Sequence, residues 1–316
     1  MANENTNEVA VASSATDVDL DAHARRIGAQ DRVATGILTV IVVFVLGLLA
    51  AIVAFILIQG LGKALTPGFL TTSPTAKENP GISSELFDSF YMLIITLLIS
   101  VPISLGAAIF LVEYAPDNWV TKAASTAIET LSSLPSIVVG MFGSLFFVVT
   151  LGWGISIIAG AMALTMFNIP ILVRVIQQAL EDVPRSQRDA GLAMGLTRWE
   201  TTIHVLLPAA MPAIVTGIVI SAGRVFGEAA ALIFTSGSAA VNLNFAASLS
   251  SSRNPFNIFR PAETLAVHIW KLKMEPTPGN DEIVWGTAAV LLICVLLFNV
   301  LARILGKFLA KKMTSE

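Results

Sequence analysis

Residues Val33 to Gln59 read VATGILTVIVVFVLGLLAAIVAFILIQ, with no Asp, Glu, Lys or Arg among them. A hydrocarbon core of ~30 Å is crossed by roughly 20 apolar residues in helical form, so this run predicts a membrane span. Five further stretches are long and predominantly apolar: Leu86 to Val112, Leu131 to Leu151, Gly154 to Ile176, Leu206 to Phe234 and Ile283 to Leu305. Open sheet edges are not tolerated in lipid, so these runs must be helices. The expected fold is all-α, a polytopic membrane helical bundle of about six transmembrane helices.

Composition agrees. The chain has 316 residues, 55% of them hydrophobic and only 13% charged, against about 25% charged in soluble domains. The formal net charge is -3, and much of the acidity sits in the first tail, at Glu4, Glu8, Asp17, Asp19 and Asp21. That balance says nothing of nucleic acid by itself, and no nucleic-acid partner is expected. Cys294 is alone and lies inside an apolar run, which makes it an inert small hydrophobe. His23, His204 and His268 are far apart and belong to no ligand-spaced cluster, so no metal site is expected. The start is polar and acidic, unlike a signal peptide. Met1 to about Ala24 carry few large apolar side chains and are expected to be disordered. The chain therefore divides into a cytoplasmic tail (1–32), a transmembrane domain (33–306) with a polar loop (181–207), and a short cytoplasmic tail (307–316).

Lys and Arg set the orientation. With both termini inside, the cytoplasmic segments hold Arg25, Arg26, Arg32, Lys122, Arg174, Arg185, Arg188, Arg198, Arg303, Lys307, Lys311 and Lys312. The external segments hold only Lys63, Lys77, Arg253, Arg260, Lys271 and Lys273. Both termini are thus expected in the cytoplasm, with the loops 60–85 and 236–282 outside. Pro102 and Pro170 sit within spans and Pro135 near the start of one; such kinks suit a moving bundle but are common in membrane helices anyway. Gly223 and Gly227, four apart, are a packing signal. In the outer loop, Leu265, Ile269 and Trp270 can line one face of a short helix. That loop either meets an external partner or gate, or only caps the bundle.

The polar loop runs Pro184, Arg185, Ser186, Gln187, Arg188, Asp189, Ala190, Gly191, Leu192, Ala193, Met194, Gly195, Leu196, Thr197, Arg198, Trp199. Ser186 can N-cap a short helix with Asp189 at its third position, and Gly195 can end it. Ala190, Gly191 and Ala193 are small enough for that helix to sink into another protein's groove. A plain connector would need only a few residues.

This loop resembles the "EAA" loop of ABC importer permeases: Glu-Ala-Ala, three residues, Gly, nine residues, then Ile-x-Leu-Pro. Asp189, Ala190 and Gly191 take the first three positions, Gly195 the Gly, and Val205, Leu207 and Pro208 the close, with Asp for Glu, Gly for Ala and Val for Ile as departures. In that family the loop is a coupling helix that docks on the ATPase subunit. Leu134 to Gly143, Asn168 to Arg174 and Gly223 to Glu228 are similar to segments of phosphate permeases. Thr264 to Trp270 and Phe69 to Pro74 lean towards the PstA type. The resemblance implies a multi-pass protein of the bacterial plasma (inner) membrane, paired with a homologous PstC-type permease. It also implies two copies of a PstB-type ATPase below and a PstS-type phosphate-binding protein outside. No cofactor is expected in this chain; ATP and Mg²⁺ would be held by the ATPase.

Arg224 and Glu228 lie well inside the fifth run. At ~1.5 Å per residue, Arg224 is about 24 Å along a helix from Pro208, too far to snorkel to the inner face. A charge at mid-bilayer costs about 2.5–3.5 kcal/mol even on the lenient insertion scale, so both should face the bundle interior. Four apart, they share a helix face and can pair. Two readings stay open. One is a structural ion pair. The other is oxyanion handling: the guanidinium fork suits phosphate oxygens, and the carboxylate accepts an O–H that phosphate still carries near neutral pH. Sulfate has no such proton. Arg174 is either an ordinary interfacial arginine or part of an exit path, and the resemblance leans to the latter.

Gly62-Lys63 and Gly306-Lys307 lack the spacing of an ATP-gripping loop, and no nucleophile–base pair is evident. The chain is therefore expected to be a transport subunit and not an enzyme. Permeases for phosphonate, sulfate or molybdate are the near alternatives, and an ATP-independent secondary carrier the distant one.

Overall fold

The computed structural model describes residues 31–76, 80–275, 277, 279–301, 303, 304 and 306 in full; for 2–30, 302, 305 and 307–314 it describes the helical backbone only. The expected disorder of the first tail and the expected cytoplasmic last tail lie outside the fully described residues. Among the described residues all regular structure is helical. Among the described residues five helices are long and apolar enough to cross a membrane: α1 (Asp31–Ala64), α2 (Ser83–Ile109, prolonged by a π-helical turn Phe110–Tyr114), α5 (Ile157–Glu181), the run Arg198–Phe226, and the Asn280–Leu301 part of α11 (Asn280–Thr314). A sixth is a broken pair, α3 (Trp119–Ser132) and α4 (Ser136–Gly143, prolonged by the π-helical Ser144–Thr150), bent by 100°.

That bend corrects the third expected span. The apolar run from Leu131 to Leu151 is not one helix, because Pro135 cannot continue it: its ψ of 134° is extended, and it stands at the start of α4. α3 before it is amphipathic, capped at Asn118 by a bond from the Thr121 N–H (2.9 Å), and buries no residue. The fifth span is corrected too. It begins at Arg198, eight residues before the expected Leu206, and its last segment α8 (Leu207–Phe226) stops before Phe234. A short helix α9 (Ala230–Thr235) restarts after a break at residues 227–229.

Up to Ile56 the first helix forms a unit by itself. Its apolar side chains point outward on all sides, with none of its most hydrophobic window buried. Residues from Leu57 onward form the second unit. There α2 packs on α5, α5 on α8, α8 on α11, and α4 on α9 and α5, while α10 (Leu265–Met274) covers α11. Two apolar cores result. The outer one gathers Met92, Ile157, Leu164, Phe226, Leu232 and Leu265. The inner one gathers Ala108, Leu172, Val173, Ile176, Leu206 and Ile214. Burial drives neither as it would in water, since lipid is as apolar as leucine; close packing and interhelical hydrogen bonds carry the association.

Both devices are visible. A Cβ on Gly140 would lie 2.5 Å from the Cα of Ala231, so only glycine lets α9 seat against α4. Gly223 faces Asn299 and Val295 of α11, whereas Gly227 meets only its own helix. At mid-depth Asn168 of α5 donates to Ser100 of α2 (3.0 Å) and accepts from Ser221 of α8, so one fully buried amide ties three helices. Interhelical bonds of this kind average ≈ 0.6 kcal/mol and reach ≈ 1.7. Asn168→Ala should therefore lower the stability of the purified protein in detergent by about 1–2 kcal/mol, read as a shift in the unfolding midpoint; an unchanged midpoint would show that the tie contributes nothing.

The loop between α9 and α11 is folded onto the bundle. Carbonyls of Arg260 and Ile258 accept the N–H groups of Ile157 and Ile158 (both 2.9 Å), which satisfies donors that the start of α5 leaves open. The Tyr91 hydroxyl donates to the Phe256 carbonyl (3.1 Å), and Phe87, Tyr91, Phe245 and Phe256 form an aromatic cluster. In α10, Leu265 is buried and Trp270 exposed, with Val267 and His268 facing inward between them.

Candidate translocation and coupling sites

Three groups of polar side chains stand out, at mid-depth, on the expected cytoplasmic side and on the expected outer side. The first is at the end of α8. Arg224 lies over the ring of Phe167, 4.2 Å from its centroid, close enough for a cation–π contact. Phe167 is about 15 Å along α5 from Ile157 and about 21 Å from Glu181, so Arg224 is level with the middle of the bundle. No carboxylate of the described residues is within ion-pair range of it, and its side chain is exposed.

Glu228 does not continue the same helix, because α8 has ended at Phe226. The pairing expected from a four-residue spacing is absent. Instead Glu228 Oε1 accepts the Ala231 N–H (3.2 Å), holding the first turn of α9. Non-helical backbone at membrane depth is tolerated only where protein or a cavity surrounds it; here α4 and α5 pack on α9. Arg174 pairs with Glu129 Oε1 at 3.4 Å, with both side chains more than half exposed. Such a pair is worth ~0–1 kcal/mol. Glu129, near the end of α3, is thus its partner.

The second group is the polar loop. Its helix α6 (Arg185–Ala193) begins at Pro184, whose rigid extended backbone supplies the entry, so Ser186 lies inside the first turn and caps nothing. The helix closes as expected at Gly195, whose φ of 85° is left-handed; the Leu196 N–H reaches back to the Gly191 carbonyl (3.2 Å). Thr197 then opens the next helix with a capping box to Glu200, and Arg198–Thr201 (α7) runs through a π-helical turn Thr202–Leu206 into α8. Asp189, Ala190, Ala193 and Met194 are exposed. Gly191 is not: it is buried, and a Cβ there would meet Thr201 Cγ2 at 2.7 Å. Its smallness serves the packing of α6 on α7 and not an outward face.

Arg188 of α6 forms an ion pair with Glu113, whose side chain is only 7% exposed, at the end of α2. The two line a cavity of about 180 Å³ with Val112, Leu192, Arg198 and Thr201. The π-helical turn Phe110–Tyr114 carries Glu113. The loop helix is therefore fastened to one span by a buried carboxylate and is continuous with another through α7.

The third group was illegible by spacing. Arg260 is 1% exposed and grips Asp88 of α2 with both terminal nitrogens, also donating to the carbonyls of Pro255 (3.2 Å) and Pro261 (3.1 Å). Beside it His268 Nδ1 stands 2.7 Å from Glu263 Oε1 and 3.7 Å from Glu85 Oε1, while Lys271 Nζ holds Glu263 Oε2 (3.0 Å) and the Ser238 carbonyl (2.8 Å). His268 was set aside on spacing alone; folding brings it beside two carboxylates.

Residues 100–315 match the family described as binding-protein-dependent transport system inner membrane component. The chain belongs to this family. It is the permease subunit of an ABC importer, a multi-pass inner-membrane component and not the catalytic one. The permease is 48% identical to "Probable ABC transporter permease protein YqgI" of Bacillus subtilis (strain 168) over 90% of its own length and 98% of that protein's. It is 31% identical to "Phosphate transport system permease protein PstA" of Yersinia pestis, covering 74% of the permease and 75% of the relative. Among solved structures a bacterial alginate ABC transporter, in complex with an alginate-bound periplasmic protein, matches with a TM-score of 0.56 at 14% identity, over 85% of the permease and 95% of that chain. At that identity the likeness is one of fold.

Proposed function

We propose that this permease is of the PstA type and forms half of a pathway for inorganic phosphate. The other half would be a homologous PstC-type permease. Two PstB-type ATPase copies would bind ATP and Mg²⁺ and meet α6, and a PstS-type protein would deliver phosphate from outside. One observation carries the substrate class. An arginine at the middle of the bundle, with no carboxylate of the described residues in ion-pair range, lies on an exposed face. Lipid is a costly neighbour for such a charge, so that face suits a pathway between two permeases in which a travelling anion is the counter-charge. Relatives named as phosphate permeases, about 30% identical, support the choice of anion. Glu228 supports it further: with Oε1 held by the backbone, Oε2 is left to accept the O–H of a protonated phosphate.

The alternative, another oxyanion, follows if Arg224 acts alone. Uptake of radiolabelled phosphate in cells relying on this gene decides between them. A tenfold excess of unlabelled phosphate should suppress the signal, while the same excess of sulfate, molybdate or a phosphonate leaves it near its starting value. Suppression by sulfate equal to that by phosphate would overturn the reading.

A further inference from the structure

We propose that Glu85, Glu263 and His268 form a binding site for one divalent transition-metal ion of the zinc class on the outer side of the permease. The three come from the first turn of α2, the stretch before α10, and α10 itself. Each offers one ligand atom, and these atoms all lie within 4.8 Å of one another. All three residues are buried, Glu85 completely and His268 to 6% exposure.

Beyond the clustering, one ligand atom there lacks what burial demands. Glu85 Oε1 has no hydrogen-bond partner. A buried carboxylate oxygen without a donor is unfavourable unless a cation or a proton stands beside it. Charge points the same way. Asp88 and Arg260 cancel, and with His268 neutral that leaves two carboxylates against Lys271. Lys271 also holds the Ser238 carbonyl and is part-exposed, so it can turn to solvent when an ion takes its place on Glu263.

The ligand set selects the ion. One imidazole and two carboxylates, with a fourth position for water, suit zinc; calcium takes six to eight oxygen ligands and magnesium an octahedral oxygen shell. Zinc ligands lie roughly 2.0–2.2 Å from the metal, and drawing Glu263 and His268 slightly apart admits the ion. It would displace the proton between Nδ1 and Oε1. Bound there, it would staple the outer loop to the start of α2.

The test uses the untagged assembled complex, stripped with chelator and titrated with zinc chloride. One zinc per copy of this chain, measured by elemental analysis, and a rise of several degrees in the unfolding midpoint are expected. Both should be lost in Glu85→Gln and in Glu263→Gln and kept in His204→Gln, which removes an exposed histidine elsewhere. Should the glutamine variants fail to assemble, X-ray absorption of the zinc-loaded wild type serves instead, with an oxygen and nitrogen shell and one imidazole expected. No stoichiometric zinc would mean that a proton on His268 neutralises the cluster, and would overturn the proposal. So would zinc retained by both glutamine variants, or a sulfur shell from Cys294.

Discussion

Arg224→Gln abolishes phosphate uptake and leaves the yield of assembled complex unchanged: this is the result expected if Arg224 carries the anion. Glutamine keeps a planar donor on a shorter side chain and removes the charge. Hydrogen bonds to charged groups contribute about 1.5–3 kcal/mol each, and the guanidinium can make two in parallel. Losing them removes about 3 kcal/mol or more, roughly a hundredfold in rate. Assembly is spared because no carboxylate among the described residues is left stranded. Glu228→Gln should act more gently. The amide oxygen still accepts the Ala231 N–H, so α9 stays capped, but the acceptor for a phosphate O–H is weakened. Phosphate uptake falls and sulfate competes better. A structural ion pair with a partner helix predicts another pattern: each single variant impairs assembly and the Gln/Gln double recovers. Uptake and complex yield for both singles and the double separate the two. Transport restored in the double variant would remove Arg224 from the pathway.

The spans were readable because lipid imposes one requirement, apolar length, which a single sequence displays openly. Breaks inside them were not. The run from Leu206 to Phe234 reads as one apolar stretch apart from Arg224 and Glu228, and hydropathy is blind to a backbone that leaves the helix where neighbours can satisfy it. What permits the break is Gly140, on another helix, giving Ala231 room. Pro135 was visible, but whether it kinks or ends a span depends on what α3 packs against. In the loop, Gly195 was legible as a stop because a positive φ is a local demand. Which way Gly191 faces depends on Thr201, ten residues on. The outer cluster joins α2 to a loop far along the chain, and spacing rules see only neighbours. Arg260, one of the charges assigned to the external segments, is buried against Asp88, and the bias towards cytoplasmic termini stands without it.

Ala190→Trp is expected to lower phosphate uptake and transport-coupled ATP hydrolysis together, by tenfold or more, while the permease still inserts and folds. The reason is where α6 is held. Its inner face is fixed by Gly191 on Thr201 and by Arg188 on Glu113, so the outer face, with Asp189, Ala190, Ala193 and Met194, is the one left to meet an ATPase. An indole at position 190 stands off from that partner without touching the packing behind it. Gly191→Trp is the poorer probe, since any side chain there strikes Thr201 and disrupts the loop itself. The converse experiment addresses transmission. Glu113→Gln leaves Arg188 half-buried without its counter-charge and loosens α6 from α2, while its outer face is untouched. The ATPase should still bind, but its hydrolysis should no longer follow delivery of substrate. Co-purification of the ATPase, uptake, and hydrolysis with and without the binding protein distinguish the two variants. Ala190→Trp should lose the ATPase and Glu113→Gln should keep it. Full coupling in Ala190→Trp would show that docking lies elsewhere on the cytoplasmic face, and unaltered coupling in Glu113→Gln would leave the continuous helix from α7 into α8 as the only connection between motor and bundle.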